Sequence, residues 1–281
     1  MANLNPITGG AGATTFRDGT EGSGAYFSFL KNTPVEINEA EVPVKILRYG
    51  LAQDSGGAGY WRGGTGTTLK FQTFSPNTTI TARNRDRCLF TPWGANGGGA
   101  GKPSSFYLNP GSNREVNLGN TDVVSIDPGD VIEITSAGAG GAGNALARDP
   151  SRVLKDVQRR FVSVSAARDE YGVVIEGGEV DEGATLTLRE QIGSEANGDG
   201  FGFNAERVEF ESTWTESNYR VLIHALLKLP VDWRFFVKHR VFESVENLRL
   251  SRTEVCEEDI KTALRNVAND YPQISSELAS V

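Results

Sequence analysis

The chain has little of the side-chain chemistry on which most catalytic and metal sites depend. Its 281 residues include only two cysteines and two histidines. Cys88 and Cys256 are too far apart in sequence for a disulfide framework or for the paired spacing of a zinc site. His224 and His239 lie in apolar-rich stretches without neighbouring cysteines or clustered carboxylates, so the sequence predicts no metal site in this chain. It identifies no catalytic residue either.

An excess of positive charge and a long hydrophobic run are also missing. The net charge is −8 and the pI is about 5.0, whereas nucleic acids and anionic membranes are bound by basic surfaces. No apolar stretch approaches the roughly 20 residues that span a bilayer. The first residues lack the basic and apolar regions of a signal peptide. The sequence therefore predicts a cytoplasmic protein without nucleic-acid or membrane partners.

Glycine is abundant, with 33 residues, and most of it separates short apolar runs in the first half of the chain. Short runs divided by glycine and proline clusters are typical of sandwich or barrel-like β structure rather than of βαβ units. The predicted strands are 42–51, 67–74, 78–87 and two short strands within 122–134. Residues 1–137 are therefore predicted to form a glycine-rich β domain.

From residue 138 onward the pattern changes to helical spacing. Asp149 followed by Pro150 is a strong helix start, with a carboxylate at the N-cap and proline at the first helical position. Gly172 is placed to end the next helix as a C′ residue. Further helices are predicted at 185–192, 216–229, 232–245 and 254–268. The chain is thus expected to be α+β, with a mainly helical region over 138–281.

Two glycine-rich segments imitate phosphate-binding loops. Residues 138–143 fit G-x-G-x-x-G after an apolar run, but the next helix begins too late for its amides to reach the same phosphate. Residues 97–104 resemble a P-loop, but Asn96 replaces its first glycine and Pro103 replaces its hydroxyl residue. We therefore favour close glycine packing over nucleotide binding for both segments.

Three arginines alternate along one predicted strand, namely Arg83, Arg85 and Arg87, and would share one face of it. One interpretation is a site for a carboxylate, bicarbonate or phosphate, because guanidinium groups bind such anions in bidentate fashion. The other is a set of structural ion pairs with Asp18, Glu39 or a partner chain. The second interpretation is favoured, since arginines also cluster in structural ion-pair networks. Arg83, Arg85 and Arg87 remain the candidate anion-binding residues.

The most informative segment joins a predicted strand to a loop with six glycines, and reads LRYGLAQDSGGAGYWRGGTG over residues 47–66. Glycine at this density indicates a loop whose backbone lies against other backbone. The segment resembles a signature of the hydantoinase B/oxoprolinase family, R-Y-x-L-x-x-D-S-G-G-A-G-x-x-R-G-G-x-G. Further family-like motifs lie before this segment, at 9–19 and 32–36, and after it, at 92–103 and 148–174. They occur in the family's order, so the resemblance covers most of residues 9–180.

The resemblance implies a partner and a reaction class. Members of the family act with a hydantoinase A-type, ATP-using subunit to open hydantoins or 5-oxoproline, or to carboxylate acetone or acetophenone. ATP and a divalent metal are thereby implied for the whole complex, and neither for this chain. The chain is similar to the C-terminal half of such proteins only. It also departs from the family motif G-G-G-x-G-D-P, having Gly141-Ala142-Gly143-Asn144-Ala145 there.

Two functional hypotheses follow. The first is a structural or site-completing subunit of an ATP-dependent carboxylase or hydrolase, resembling an accessory subunit of an acetophenone-carboxylase-like complex. It would associate with hydantoinase A-type and hydantoinase B-type chains and be inactive alone. The alternative is a stand-alone, β-rich ligand-binding or scaffold protein.

Overall fold

The computed structural model describes residues 7–23, 33–82, 87–193, 200–250 and 254–278. The chain divides into two compact units, Met1–Asn204 and Ala205–Val281. Most strands lie in the N-terminal half and most helices in the C-terminal half, which confirms the α+β class. The predicted domain boundary at 137/138 lies within the first unit. Among the described residues, no helix has the length and apolar character needed to cross a membrane.

Within the described residues of the first unit, the strands form three antiparallel sheets. They are β1 (Val44–Leu51), β2 (Thr67–Thr73), β3 (Thr78–Thr81), β4 (Ser105–Leu108), β5 (Val116–Asn117), β6 (Val123–Ile126), β7 (Val131–Thr135), β8 (Ile175–Glu176) and β9 (Glu179–Val180). The largest sheet has the order β1-β2-β7-β4-β5, while β3 pairs with β6 and β8 with β9. Every pairing is antiparallel, as expected for a body without βαβ crossovers.

The large sheet and the β3–β6 pair share one apolar core. Phe106 in β4 and Ile132 in β7 are fully buried, and they cluster with Ile126 of β6 and with Ala82, which follows β3. Side chains on alternate positions of a strand face the same side, so one face of each sheet contributes to this core. The arrangement agrees with the predicted sandwich-like body.

Beside the sheets lies a glycine layer, which we define as residues 9–22, 52–66, 92–102 and 137–143. Its segments hydrogen-bond backbone to backbone: Gly57 donates to Ala139 at 2.8 Å, and Gly99 donates to Ala58 at 2.7 Å. A Cβ on Gly140 would overlap the carbonyl oxygen of Trp93. The segments therefore approach more closely than chains with side chains can, which explains why the sequence has glycine here.

Four helices of the described first unit surround this body. They are α1 (Val35–Glu41), α2 (Pro150–Gln158), α3 (Val164–Tyr171) and α4 (Glu182–Ile192). The predicted start of α2 is confirmed, because the Asp149 side chain accepts a hydrogen bond from the backbone N–H of Ser151 and Pro150 occupies the first turn. Gly172 ends α3 with a φ of 61°, also as predicted. Helix α1 was not predicted.

The second unit is helical throughout its described residues. It contains α5 (Ala205–Thr213), α6 (Glu216–Lys228), α7 (Val231–Arg249), α8 (Glu257–Asp270) and α9 (Ser275–Leu278). Apolar residues recur at helical spacing on the inward faces, such as Val237, Val241 and Val245 of α7, and pack against Ile260 and Leu264 of α8. The predicted helices at 216–229, 232–245 and 254–268 correspond to α6, α7 and α8.

The glycine layer gives a direct stability prediction. We expect Gly140→Ala to raise amide hydrogen-exchange rates in the layer about 100-fold or more, because its Cβ meets backbone that has no flexible side chain to move aside. The matched control is Gly50→Ala in β1, where a Cβ meets no atom within 4 Å. Hydrogen exchange followed by mass spectrometry measures both variants. Equal exchange rates in the two variants would contradict close packing as the reason for glycine at position 140.

Candidate functional site

The predicted anion-binding arginines are described only in part. Arg83 and Arg85 lie outside the described residues. Arg87 is exposed in a turn, beyond the end of β3 at Thr81, and its carbonyl accepts a hydrogen bond from the N–H of Ser104 at 2.8 Å. An anion site formed by the three arginines therefore stays a prediction.

The acidic residues proposed as partners of those arginines have other contacts. Asp18 forms ion pairs with Arg148 and Arg152. The Glu39 side chain accepts a hydrogen bond from the backbone N–H of Ile46 at 2.7 Å. Asp18 thus belongs to a structural ion pair, but with arginines outside the predicted arginine strand.

A buried ion-pair network centred on Arg148 joins distant parts of the first unit. The Arg148 side chain is 1% exposed. Its two terminal nitrogens contact the two carboxylate oxygens of Asp18 at 2.7 and 3.0 Å. The same guanidinium donates to Asp156 of α2 at 2.8 Å and to the carbonyl oxygen of Tyr60 at 2.8 Å. The bidentate geometry fixes direction as well as distance.

A second guanidinium, that of Arg62, extends the network into the glycine layer. Arg62 Nη2 lies 2.5 Å from Glu21 Oε1, and Arg62 Nε lies 3.5 Å from Asp156 Oδ2. Glu21 also accepts hydrogen bonds from the N–H and hydroxyl of Thr65, at 2.6 and 2.8 Å. Arg152 reaches Asp18 at 2.9 Å. Three guanidinium groups therefore face three carboxylates, and the network is electrically balanced.

The pKa shifts follow from this arrangement. Burial alone would raise the pKa of Asp18, but the hydrogen bonds and charge of Arg148, with the N–H of Arg62 and the charge of Arg152, hold it below its ordinary value. The pKa of Arg148 is raised, since Asp18 and Asp156 outweigh the effect of its burial. Burial raises the pKa of the neighbouring Tyr171 phenol. Asp18 and Arg148 are consequently both ionised at neutral pH, beside a neutral tyrosine.

Sequence reasoning missed the network residues Arg62, Arg148, Arg152, Asp156 and Glu21. One signal for Asp156 was available. It follows Val153 by three residues on α2, so both lie on one face of the helix, and both are buried. A charged residue on an inward face needs a partner of opposite sign. The identity of the partner was not readable, since Arg148 and Asp18 are 130 residues apart.

Most amides of the phosphate-loop-like segments already donate hydrogen bonds to backbone carbonyls. Within 138–143, Gly138 donates to Lys102, Gly141 to Gly99, and Gly143 to Ala95, each at 3.0 or 3.1 Å. In the other segment, Gly99 donates to Ala58 and Gly101 to Pro92. An amide that donates to a carbonyl is not available to a phosphate. Close glycine packing is therefore confirmed for both segments.

The ATP and divalent metal implied for a whole complex do not fit the described residues. No group of three or more His, Cys, Asp or Glu side chains within the described ranges is placed to hold a metal ion. His224 and His239 are exposed on α6 and α7, and the two cysteines are free thiols. Most amides of the two glycine-rich segments donate to backbone carbonyls, and no chemical step is assigned to these residues.

One open cavity of about 300 Å³ lies beside the network. It is lined by Thr15, Tyr60, Trp61, Asn96, Ala142, Gly143, Asn144 and Ala147. The Tyr60 and Trp61 rings meet edge to face, with centroids 5.2 Å apart, and the Arg152 guanidinium lies 4.5 Å from the Trp61 centroid. The network residues Asp18 and Arg148 hold Arg152 and the Tyr60 backbone in place.

Comparison with known proteins gives a consistent set of relatives. The model of a family described as Hydantoinase B/oxoprolinase matches residues 1–145. The beta chain of caprolactamase from Pseudomonas jessenii is 35% identical over 199 residues, which are 66% of this chain and 33% of that protein. The B-type chain of a putative D-/L-hydantoinase from Pseudomonas sp. (strain NS671) is 29% identical over 192 residues, which are 66% of this chain and 32% of that protein.

Solved structures agree with these relatives. The crystal structure of the ATP-dependent caprolactamase from Pseudomonas jessenii matches with a TM-score of 0.55 and 33% identity, covering 66% of this chain and 33% of that one. The nucleotide-free structure of acetone carboxylase matches with a TM-score of 0.57, covering 90% of this chain and 38% of that one. At 20% identity, the second likeness concerns the fold alone. The chain spans about a third of the length of these relatives.

The ion-pair network predicts that removal of the Arg148 guanidinium strongly lowers the stability of the fold. We expect Arg148→Met to lower the free energy of unfolding by about 3–5 kcal/mol, because Asp18 and Asp156 would lose a buried partner. The control is Arg220→Met, whose pair with Glu216 is exposed and should contribute less than about 1 kcal/mol. Urea denaturation measures both changes. Similar losses for the two variants would show that the buried network is not a main source of stability.

The lowered pKa of Asp18 predicts that the free energy of unfolding depends on pH. Its pKa in the folded protein lies below the ordinary 3.8, so its contribution is present above pH 3.8 and is lost as the pH falls through the lower folded value. Asp18→Asn should therefore be less stable than the wild type at pH 7, and the difference should narrow at pH 3. Urea denaturation at the two pH values gives both differences. A difference that stayed constant would argue against an ionised Asp18 in the folded state.

Proposed function

The chain belongs to the hydantoinase B/oxoprolinase family, whose model matches more than half of it, and we propose that it serves as one subunit of an ATP-dependent complex that opens cyclic amides or carboxylates ketones. The observation that carries this proposal is the match to the beta chain of caprolactamase over 66% of the present chain. The similarity to a B-type hydantoinase chain points to the same reaction class. More specifically, we propose that the complex resembles an acetophenone carboxylase.

The proposed role within the complex is structural or site-completing. ATP use is assigned to a hydantoinase A-type partner, because most amides of the two phosphate-loop-like segments already donate to backbone carbonyls. The rigid glycine layer and the Arg148 network would then present a fixed surface to the partner chains. A hydantoinase B-type chain is proposed as a second partner, because the B-type relatives are themselves parts of multi-chain enzymes.

Co-purification tests the proposal. The tagged chain, expressed in its native cells, is expected to retain hydantoinase A-type and hydantoinase B-type proteins, identified by mass spectrometry. The retained complex should hydrolyse ATP faster in the presence of a cyclic amide or a ketone, whereas the chain alone should not. A protein carrying the same tag gives the background.

Two results would overturn the proposal. One is recovery of the chain alone at native expression level, which would favour the stand-alone scaffold or ligand-binding protein. The other is substrate-stimulated ATP hydrolysis by the isolated chain, which would assign ATP use to residues of this chain.

A further inference from the structure

Three exposed cations lie at the C-terminal end of α2. Lys155 and Arg159 are four residues apart and share one face of the helix, where like charges repel. Arg160 follows with a φ of 60°, at the C′ position where a helix that ends in this conformation usually has glycine. The helix dipole favours cations here but does not remove their mutual repulsion. In the part of the chain that the structure describes, none of the three side chains forms an ion pair.

Two exposed carboxylates lie opposite each other in the hairpin formed by β8 and β9. Glu176 and Glu179 are direct partners in the antiparallel register. The turn between them consists of Gly177 and Gly178, which both have positive φ, as a two-residue hairpin turn requires. Like charges directly opposite one another destabilise a pair of strands. Among the described residues, neither carboxylate has a cation as an ion-pair partner.

The cations and the carboxylates belong to neighbouring elements of the first unit. Helix α2 packs against β9, and Val157 of α2 and Val180 of β9 contact the same apolar cluster around Val153. Within the described ranges, no ion pair joins the two sets of charges, although their elements are in contact. A positive area beside a negative area is complementary to a copy of itself, because a two-fold axis brings the positive area of each copy against the negative area of the other.

We propose that this surface binds a second copy of the chain in a two-fold symmetric dimer. Lys155 and Arg159 of one copy face the hairpin carboxylates of the other, and the symmetry repeats the contact. Each set of like charges then has opposite charges nearby, which lowers both repulsions. A second copy fits better than an acidic or a basic protein, because either of those would neutralise one set only. The inference is independent of the ATP-dependent complex proposed above.

Sedimentation equilibrium of the full chain at two salt concentrations tests whether the dimer forms and depends on charge. The dissociation constant should rise about tenfold or more between about 0.1 M and about 1 M NaCl, because the screening length falls from roughly 10 Å to roughly 3 Å. A chain that stays monomeric at the lower salt concentration, up to its highest soluble concentration, would overturn the proposal. So would a dissociation constant that salt leaves unchanged.

Charge reversal identifies the contacting residues. One variant is Lys155→Glu with Arg159→Glu, and the other is Glu176→Lys with Glu179→Lys. Each places like charges opposite one another in both symmetric contacts, so each alone should dimerise about 100-fold more weakly than the wild type. An equimolar mixture of the two variants should form a heterodimer, because both contacts again join opposite charges. Native mass spectrometry distinguishes the heterodimer from either homodimer by mass.

The matched control is Arg220→Glu with Arg240→Glu, which reverses two exposed cations of the second unit and changes the net charge as much as the first variant does. It should dimerise like the wild type. Heterodimer formation would support the proposal and would also show that both charge-reversed variants fold. Wild-type dimerisation in either charge-reversed variant, or a mixture of the two that stays monomeric, would overturn the proposed contacts.

Discussion

Backbone contact between glycine-rich segments is the constraint on which the first unit depends. In most domains, side chains separate the chains and fill the space between them. In the glycine layer, carbonyl oxygens occupy the positions that Cβ atoms would take, as Trp93 does at Gly140. The hydrogen bonds run between segments that are far apart in sequence, such as Gly57 and Ala139. The layer therefore stabilises long-range contacts with peptide groups instead of apolar side chains.

The ion-pair network depends on this layer and in turn fixes its border. Arg62 is part of the layer, and its guanidinium faces Glu21 of the N-terminal segment. Arg148 fastens the same segment, through Asp18, to Asp156 of α2. Such charges are stable in a buried place only when each meets a partner of opposite sign. A layer with few side chains has little apolar surface to bury. The ion pairs with Asp156 connect it to helix α2 instead.

This construction bears on function in a specific way. Glycine-rich loops with free amides bind phosphates, but here most amides of residues 97–104 and 138–143 donate to backbone carbonyls. At the border of the layer, the network orients Arg152 and the Tyr60 backbone next to an open cavity. This arrangement supports the structural or site-completing role proposed above.

Local features and the family could be read from the order of residues along the chain. The start of α2 at Asp149-Pro150 and the end of α3 at Gly172 were readable, because capping is decided by neighbouring residues. The glycine-rich run at 47–66 was enough to identify the family, since so long a pattern does not arise from composition.

Which distant residues contact each other became visible in the folded chain alone. Helix α1, strand β4 and helix α5 were not predicted, since 35–41, 105–108 and 205–213 give no strong pattern. The pair of Arg148 with Asp18 joins residues 130 positions apart. The cavity collects single side chains from separate loops of the glycine layer and its flank. Periodicity and capping report on neighbours along the chain, whereas such contacts depend on how close the folded backbone lets distant segments come.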